Sequence, residues 1–92
     1  EGENKGALSQ RIRAIERDSN GFLWLGTNHG LLRYDGYEFR SFPTIDGQKN
    51  SISSNDIYDL QADKLGVLWV ATNRGVCKYN PETEDFTRYL TG

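Results

Sequence analysis

A single cysteine, Cys77, stands among the 92 residues, which excludes an internal disulfide and any multi-cysteine metal site. Its neighbours Val76 and Tyr79 lie in a strand-like run, so it reads as a buried structural thiol, and no histidine or acid is spaced to activate it. Histidine is equally scarce. His29 is the only one, and alone it cannot supply the three or four ligands of a zinc site, so neither a metal nor a cofactor is expected. No apolar run approaches the ~18 residues that cross a bilayer, and Glu1 to Ser9 lacks the basic and apolar plan of a signal sequence. Direct membrane insertion is therefore not expected of these residues. An opening at Glu1 rather than Met suggests a mature or excised piece and leaves room for a signal or membrane segment outside it. An excess of one charge is also missing. Eleven Lys and Arg against thirteen Asp and Glu leave a net charge of −2, without the basic stripe that would release phosphate counterions, so nucleic acid is not an expected partner. No nucleophile elbow, phosphate loop or metal signature occurs, and no catalytic residue is nominated.

What the chain does have is aromatic: Phe22, Trp24, Tyr34, Tyr37, Phe39, Phe42, Tyr58, Trp69, Tyr79, Phe86 and Tyr89. Such residues favour strands, and they supply much of the apolar mass of a chain long enough for only one small domain.

An internal repeat organises them. Sliding the chain by 45 residues lays Ile12 on Ile57, Asp18 on Asp63, Gly21 on Gly66, Leu23 on Leu68 and Trp24 on Trp69. Thr27 falls on Thr72, Asn28 on Asn73, Gly30 on Gly75 and Tyr34 on Tyr79, nine identities over the 24 positions from Ile12 to Asp35. A period of about 40–50 residues built of short strands points to propeller blades, each a four-stranded antiparallel sheet. The fold class expected is all-β, two four-stranded antiparallel β-propeller blades forming a partial propeller. Blade one takes residues 8–42, an inter-blade loop 43–55 and blade two 56–92.

Ile12 to Asp18 and Ile57 to Asp63 are the predicted first strands, followed by turns at Gly21 and Gly66 where glycine permits positive φ. Phe22 to Thr27 and Val67 to Thr72 are apolar without alternation, as strands covered on both faces are. Asn28-His29-Gly30 and Asn73-Arg74-Gly75 predict hairpin turns into third strands, Leu31 to Tyr34 and Val76 to Tyr79. Asp35-Gly36 and Asn80-Pro81 begin the next turns, the second longer by two residues, before outer strands near Glu38 to Phe42 and Asp85 to Leu90. Leu8, Ile12 and Ile15 also have helical spacing with Ser9 as a cap. The repeat decides for a strand, because Tyr58 and Asp59 interrupt any matching helical face in the second copy.

The segments GFLWLGTNHGLLRYD at 21–35 and GVLWVATNRGVCKYN at 66–80 resemble the propeller repeat of two-component regulators over nearly the whole chain. That repeat reads as a strand, an Asp, a Gly, Leu-Trp-Ile-Gly-Thr, a short turn with Gly-Leu, and Tyr-Asp before an aromatic strand. Ala71 stands where the repeat usually has glycine, a methyl expected to be tolerated. The resemblance implies a parent sensor of Bacteroides type. In such a parent a periplasmic propeller precedes an inner-membrane helix and a histidine kinase core, often serving carbohydrate sensing. No kinase or receiver motif lies in these residues.

In such a propeller the turns between second and third strands share one face with the inter-blade loops, and that face often binds. Asn28, His29, Asn73 and Arg74, joined by Asp46, Asn50 and Asn55, are the ligand-binding candidates. They offer donors and acceptors suited to an oligosaccharide or a neighbouring domain. Recurrence of Asn28 and Asn73 in both copies is what a turn requirement of the fold produces and favours turn chemistry for them, whereas His29 and Arg74 differ between copies, as either specificity positions or solvent-exposed tips would. Trp24 and Trp69 read as inter-blade core rather than sugar platforms. Asp18 and Asp63 read as turn acceptors rather than the carboxylate pair of a glycosidase.

The functional expectation is an extracytoplasmic ligand-input module of a two-component sensor. The alternative is a structural or protein-interaction scaffold, with a propeller lyase third. Two blades do not close a ring and leave apolar sheet faces, so the expected partners are other propeller blades or further copies of the chain. Three copies would give six blades and four would give eight, within the ~4–8 of known propellers.

Overall fold

A computed structural model describes residues 11–89. Among these residues eight strands form two four-stranded antiparallel sheets, ordered as they occur along the chain. Blade one contains β1 (Ile12–Arg17), β2 (Leu23–Thr27), β3 (Gly30–Tyr34) and β4 (Phe39–Ser41). Blade two contains β5 (Ile57–Ala62), β6 (Leu68–Thr72), β7 (Gly75–Asn80) and β8 (Asp85–Tyr89). Each strand lies where the repeat puts it, within a residue or two at its ends. The helical alternative fails at Ile12 and Ile15, which are in β1; Leu8, Ser9 and Leu90 lie outside the described residues.

Equivalent residues take equivalent places in the two ladders. Ile12 pairs with Thr27 and Ile57 with Thr72, and both first strands carry a bulge, at Arg13 in blade one and at Tyr58 in blade two. A bulge re-aims the side chain it carries. Arg13 is thereby directed across the blades, where its Nη1 donates to Asp56 Oδ1 and to the Ile57 carbonyl. Tyr34 pairs with Phe39 but Tyr79 with Phe86, confirming the longer second turn.

The local chemistry of each blade centres on an aspartate. Asp18 Oδ1 accepts from the backbone N–H of Asn20 and Phe22 while Oδ2 accepts from Trp24 Nε1 at 2.7 Å. Asp63 repeats the scheme with Leu65, Val67 and Trp69 Nε1 at 3.0 Å. These carboxylates thus act as turn acceptors, each joining a β-turn to the tryptophan six residues on.

The core sits between the blades. Blade one contributes Trp24, Leu31 and Phe42, and blade two contributes Ile57, Leu60, Tyr79 and Phe86. Trp24 meets Tyr79 edge-on with centroids 4.6 Å apart, and Phe42 meets Phe86 at 5.9 Å, arrangements favoured by the ring quadrupoles. Two glycines admit this approach. A Cβ on Gly26 would lie 2.5 Å from Ile57 Cγ2, and one on Gly66 would overlap Ser19 Cβ.

The two tryptophans part company here. Trp24 is fully buried, whereas Trp69 and Ala71 are half-buried because, among the described residues, no sheet covers their side of β6. Continuous burial therefore holds for β2 but becomes alternation in β6, where Leu68, Val70 and Thr72 alone are buried. Cys77 is fully buried as expected, with its Sγ 3.2 Å from Ser53 Oγ.

Candidate functional site

One end of the sheets gathers the four hairpin candidates, Asn28, His29, Asn73 and Arg74. Asn28 N donates to the Arg11 carbonyl, Phe42 N to the Leu31 carbonyl and Asn73 N to the Asp56 carbonyl. The turns at 28–29 and 73–74 consequently share an edge with the connection that runs from β4 to β5. His29 and Arg74 are exposed there, each at the tip of its hairpin.

Threonine, rather than asparagine, holds these turns. Thr27 Oγ1 accepts from His29 N at 3.0 Å and donates to the Gly30 carbonyl at 2.8 Å. Thr72 does the same for Arg74 N and Gly75. The positive φ falls on Gly30 (140°) and Gly75 (118°), not on Asn28 or Asn73, so glycine supplies the backbone freedom of the turn. The Asn28 side chain bonds within the turn, its Oδ1 lying 3.0 Å from His29 Nδ1.

The loop candidates divide. Asn55 Oδ1 accepts from Thr44 N at 2.8 Å and pins the connection to itself. Asn50 faces blade two, its Nδ2 donating to Asp85 Oδ2 and its carbonyl accepting from Phe86 N. Asp46 is exposed in the turn closed by the Gln48 N to Ile45 carbonyl bond. Asn50 therefore belongs to a different neighbourhood from the hairpin tips.

That neighbourhood is a cleft of about 320 Å³ between the β4–β5 connection and the β7–β8 turn, lined by Arg40, Pro43, Gln48, Asn50, Glu84 and Asp85 among others. Its wall is an ionic clamp across the blades. Arg40 Nη1 reaches Glu84 Oε1 at 2.6 Å, and Arg33 Nη1 reaches Glu84 Oε2 at 3.2 Å and donates to Tyr79 Oη at 2.9 Å. The Arg33 guanidinium also lies over the rings of Phe22 at 4.5 Å and Phe42 at 5.2 Å, where the ring quadrupole attracts a cation. Glu84 holds positive φ (56°), the only described residue other than glycine to do so. A backbone conformation that favours glycine is tolerated here by a side chain that clamps two arginines.

Hydrogen bonds from Arg40 and then Arg33 lower the Glu84 pKa below its usual 4.5. Burial raises that of the Tyr79 phenol, which stays protonated at neutral pH. Asp85 is lowered by its bonds from Thr83 and Asn80. For Glu84 the folded-state value lies below the unfolded one, so its stabilisation is complete above the ordinary carboxylate range. It is lost as pH falls through the lowered folded-state value. Acid should therefore weaken the blade-to-blade clamp. Glu84→Gln is expected to reduce the drop in melting temperature between neutral pH and pH ~3, read by calorimetry; a drop equal to wild type would remove Glu84 from the acid response.

Sequence reasoning passed over Arg33, Arg40 and Glu84. The available signal was irregularity in the repeat: Arg33 falls opposite Lys78, and Glu84 lies in the turn that is longer in blade two. Among the described residues no cluster of three or more His, Cys, Asp or Glu is placed to hold a metal.

Two four-stranded antiparallel blades packed face to face, with their connecting loops on one edge, make this chain a segment of a β-propeller. The family model for the two component regulator propeller matches residues 6–29 and 51–74, more than half of the chain, and the chain belongs to that family. A solved structure from B. thetaiotaomicron, the extracellular domain of the putative hybrid two component system BT3049, is 33% identical with a TM-score of 0.77. The match covers 87% of this chain and 11% of that one. The extracellular domain of the putative hybrid two component system BT4673 from the same organism is 30% identical with a TM-score of 0.72 over the same shares. This chain thus spans about a ninth of the length of the solved relatives it matches. No curated protein matches it. As a blade pair of this family the segment is not an enzyme.

Proposed function

We propose that this blade pair is part of the extracytoplasmic input propeller of a two-component sensor, reporting a ligand to a histidine kinase across the inner membrane. The observation that carries the reading is the likeness to extracellular domains of hybrid two component systems at 33% and 30% identity over 87% of this chain. In this reading the domain faces the periplasm and the ligand is an oligosaccharide held at the hairpin edge.

The chemistry of that edge supports it. His29 and Arg74 are exposed at equivalent tips with different side chains, over turns whose geometry Thr27 and Thr72 maintain without them. Side chains that the fold does not need are free to vary with the ligand. Binding would signal by favouring one arrangement of the propeller over another, since a ligand moves an equilibrium only by its difference in affinity for the two states.

The test is titration calorimetry of the complete sensor region against a panel of glycan fragments, with His29→Ala/Arg74→Ala alongside wild type. Heat of binding that the double substitution lowers at least tenfold in affinity is the expected result. Silence across the panel would overturn oligosaccharide sensing. Signalling unchanged by the double substitution would instead favour a scaffold that holds partners without touching ligand.

A further inference from the structure

The cleft between the β4–β5 connection and the β7–β8 turn lies inside the blade pair, so blades one and two supply both of its walls. Its ionic clamp is short of one negative charge. Glu84 is shared by two guanidiniums and gives each a single oxygen, Oε1 to Arg40 at 2.6 Å and Oε2 to Arg33 at 3.2 Å. Behind the connection a third guanidinium, Arg88, spends its donors on uncharged oxygens. Its Nε donates to the Ser51 carbonyl, and its Nη2 to the Gln48 and Ile52 carbonyls and to Ser51 Oγ. Among the described residues no acid pairs with Arg88. Asp85 is the other carboxylate of the cleft, and the side chains that donate to it, Thr83, Asn80 and Asn50, are all neutral. Arg33, Arg40 and Arg88 therefore stand against only Glu84 and Asp85.

Of the three arginines, Arg40 presents the surplus charge to the cleft. Its side chain is 51% exposed, against 11% for Arg33. The Phe42 ring lies 4.6 Å from its guanidinium and steadies the plane of the fork. Glu84 takes Nη1 alone, and among the described residues no hydrogen bond uses Nε or Nη2. A guanidinium is shaped to hold an oxyanion by two parallel N–H bonds, and here a single resident oxygen occupies one corner of it. Glu84 reaches that corner from the positive φ of 56° that favours glycine, a strained placement of the kind that collects at binding sites. Beside Arg40 the cleft offers apolar surface from Pro43 and Ile45. It also offers the Gln48 side-chain amide and Asn50 Oδ1, which no described residue engages.

We propose that this cleft binds a small molecule carrying one oxyanion, a carboxylate or a sulfate, on a hydroxylated body, and that the oxyanion exchanges with Glu84 on Arg40. In the free protein Glu84 fills the seat. In the bound protein the ligand takes Arg40, Glu84 keeps Arg33, and each guanidinium of the clamp has its own anion. Asp85 holds the ligand to a single charge, since like charges in one site repel. A volume of about 320 Å³, at the small end of ligand sites, fits a body of about one sugar ring. The amides of Gln48 and Asn50 meet its hydroxyls. Arg40 belongs to blade one and Glu84 to blade two, so the exchange breaks one of the two ion pairs that Glu84 makes across the blades and couples the ligand to their spacing. The cleft is separate from the hairpin edge and binds independently of it.

Titration calorimetry of the complete sensor region with glucuronate, glucose 6-sulfate and, as the uncharged control, glucose tests the site. At least one charged sugar is expected to bind about tenfold or more tighter than glucose, the worth of a charge-assisted contact, and the tighter of the two names the oxyanion. Arg40→Ala should lower that affinity by about tenfold or more. Glu84→Gln should raise it by about threefold or more, because an amide no longer competes for the guanidinium. A misfolded protein does not gain affinity, so this arm stands even where Arg40→Ala disturbs the fold. Three results would each overturn the proposal: neither charged sugar binding better than glucose, binding unchanged in an Arg40→Ala protein with wild-type circular dichroism, or Glu84→Gln binding no more tightly than wild type.

Discussion

Trp24→Ala will cost about 3–5 kcal/mol of folding stability, the larger of the two tryptophan effects. Its indole is fully buried and touches Phe42 at 5.2 Å and Tyr79 at 4.6 Å. Truncation opens a cavity where the two blades meet, and the surrounding rings belong to different sheets that cannot close it without sliding. In a domain of this size each kcal/mol shifts the melting temperature by about 4–8 °C, so a fall of at least ~12 °C is expected. Trp69→Ala removes the same side chain from the same point of the repeat. Trp69 is half-buried with water already on its face, so its loss should shift the midpoint by less than half as much. Thermal unfolding followed by circular dichroism reads both, and equal effects would mean that the face of blade two is not open.

The second large effect is expected at Asp18, which is 8% exposed and accepts three hydrogen bonds, one from the buried Trp24 Nε1. Asp18→Ala leaves an indole N–H unpaired away from water, at about 1–3 kcal/mol, and frees the turn that enters β2. Asp18→Asn keeps one acceptor and should recover part of the loss. Asp63 makes the same three bonds from an exposed position, so water replaces much of what Asp63→Ala removes. The bond from Trp69 and the backbone N–H of Val67 lower its pKa, and whatever stability it adds is lost as pH falls through that lowered value. Thermal melts of Asp18→Ala and Asp63→Ala at neutral pH decide the matter: similar shifts would show that burial does not set the worth of this motif.

Much of the fold was legible because its contacts are local. Strand order follows from turns at Gly21, Gly30, Gly66 and Gly75, and the alignment of Trp24 with Trp69 sets both sheets in one register. The edge that gathers Asn28, His29, Asn73 and Arg74 also follows from topology alone. The roles of the candidates were less legible. Asn55 and Asn50 are engaged with Thr44 and Asp85, partners eleven and thirty-five residues away that no spacing rule names. The Arg33, Arg40 and Glu84 clamp was invisible for the same reason: it joins residues 44 and 51 positions apart through the docking of two sheets.

The repeat by itself determined that each half is a four-stranded blade, that an aspartate anchors each tryptophan, and that a glycine permits each tight turn. These depend on bonds within a few residues, which identical motifs reproduce wherever they stand. Only the tertiary structure decided which member of each repeated pair is core. Trp24 and Ile57 are buried where the blades meet, whereas Trp69 and Ile12, the same residue types at the same places in the repeat, face outward. Burial belongs to whatever lies on the other side of a sheet, and a residue's own sequence neighbourhood carries no record of it.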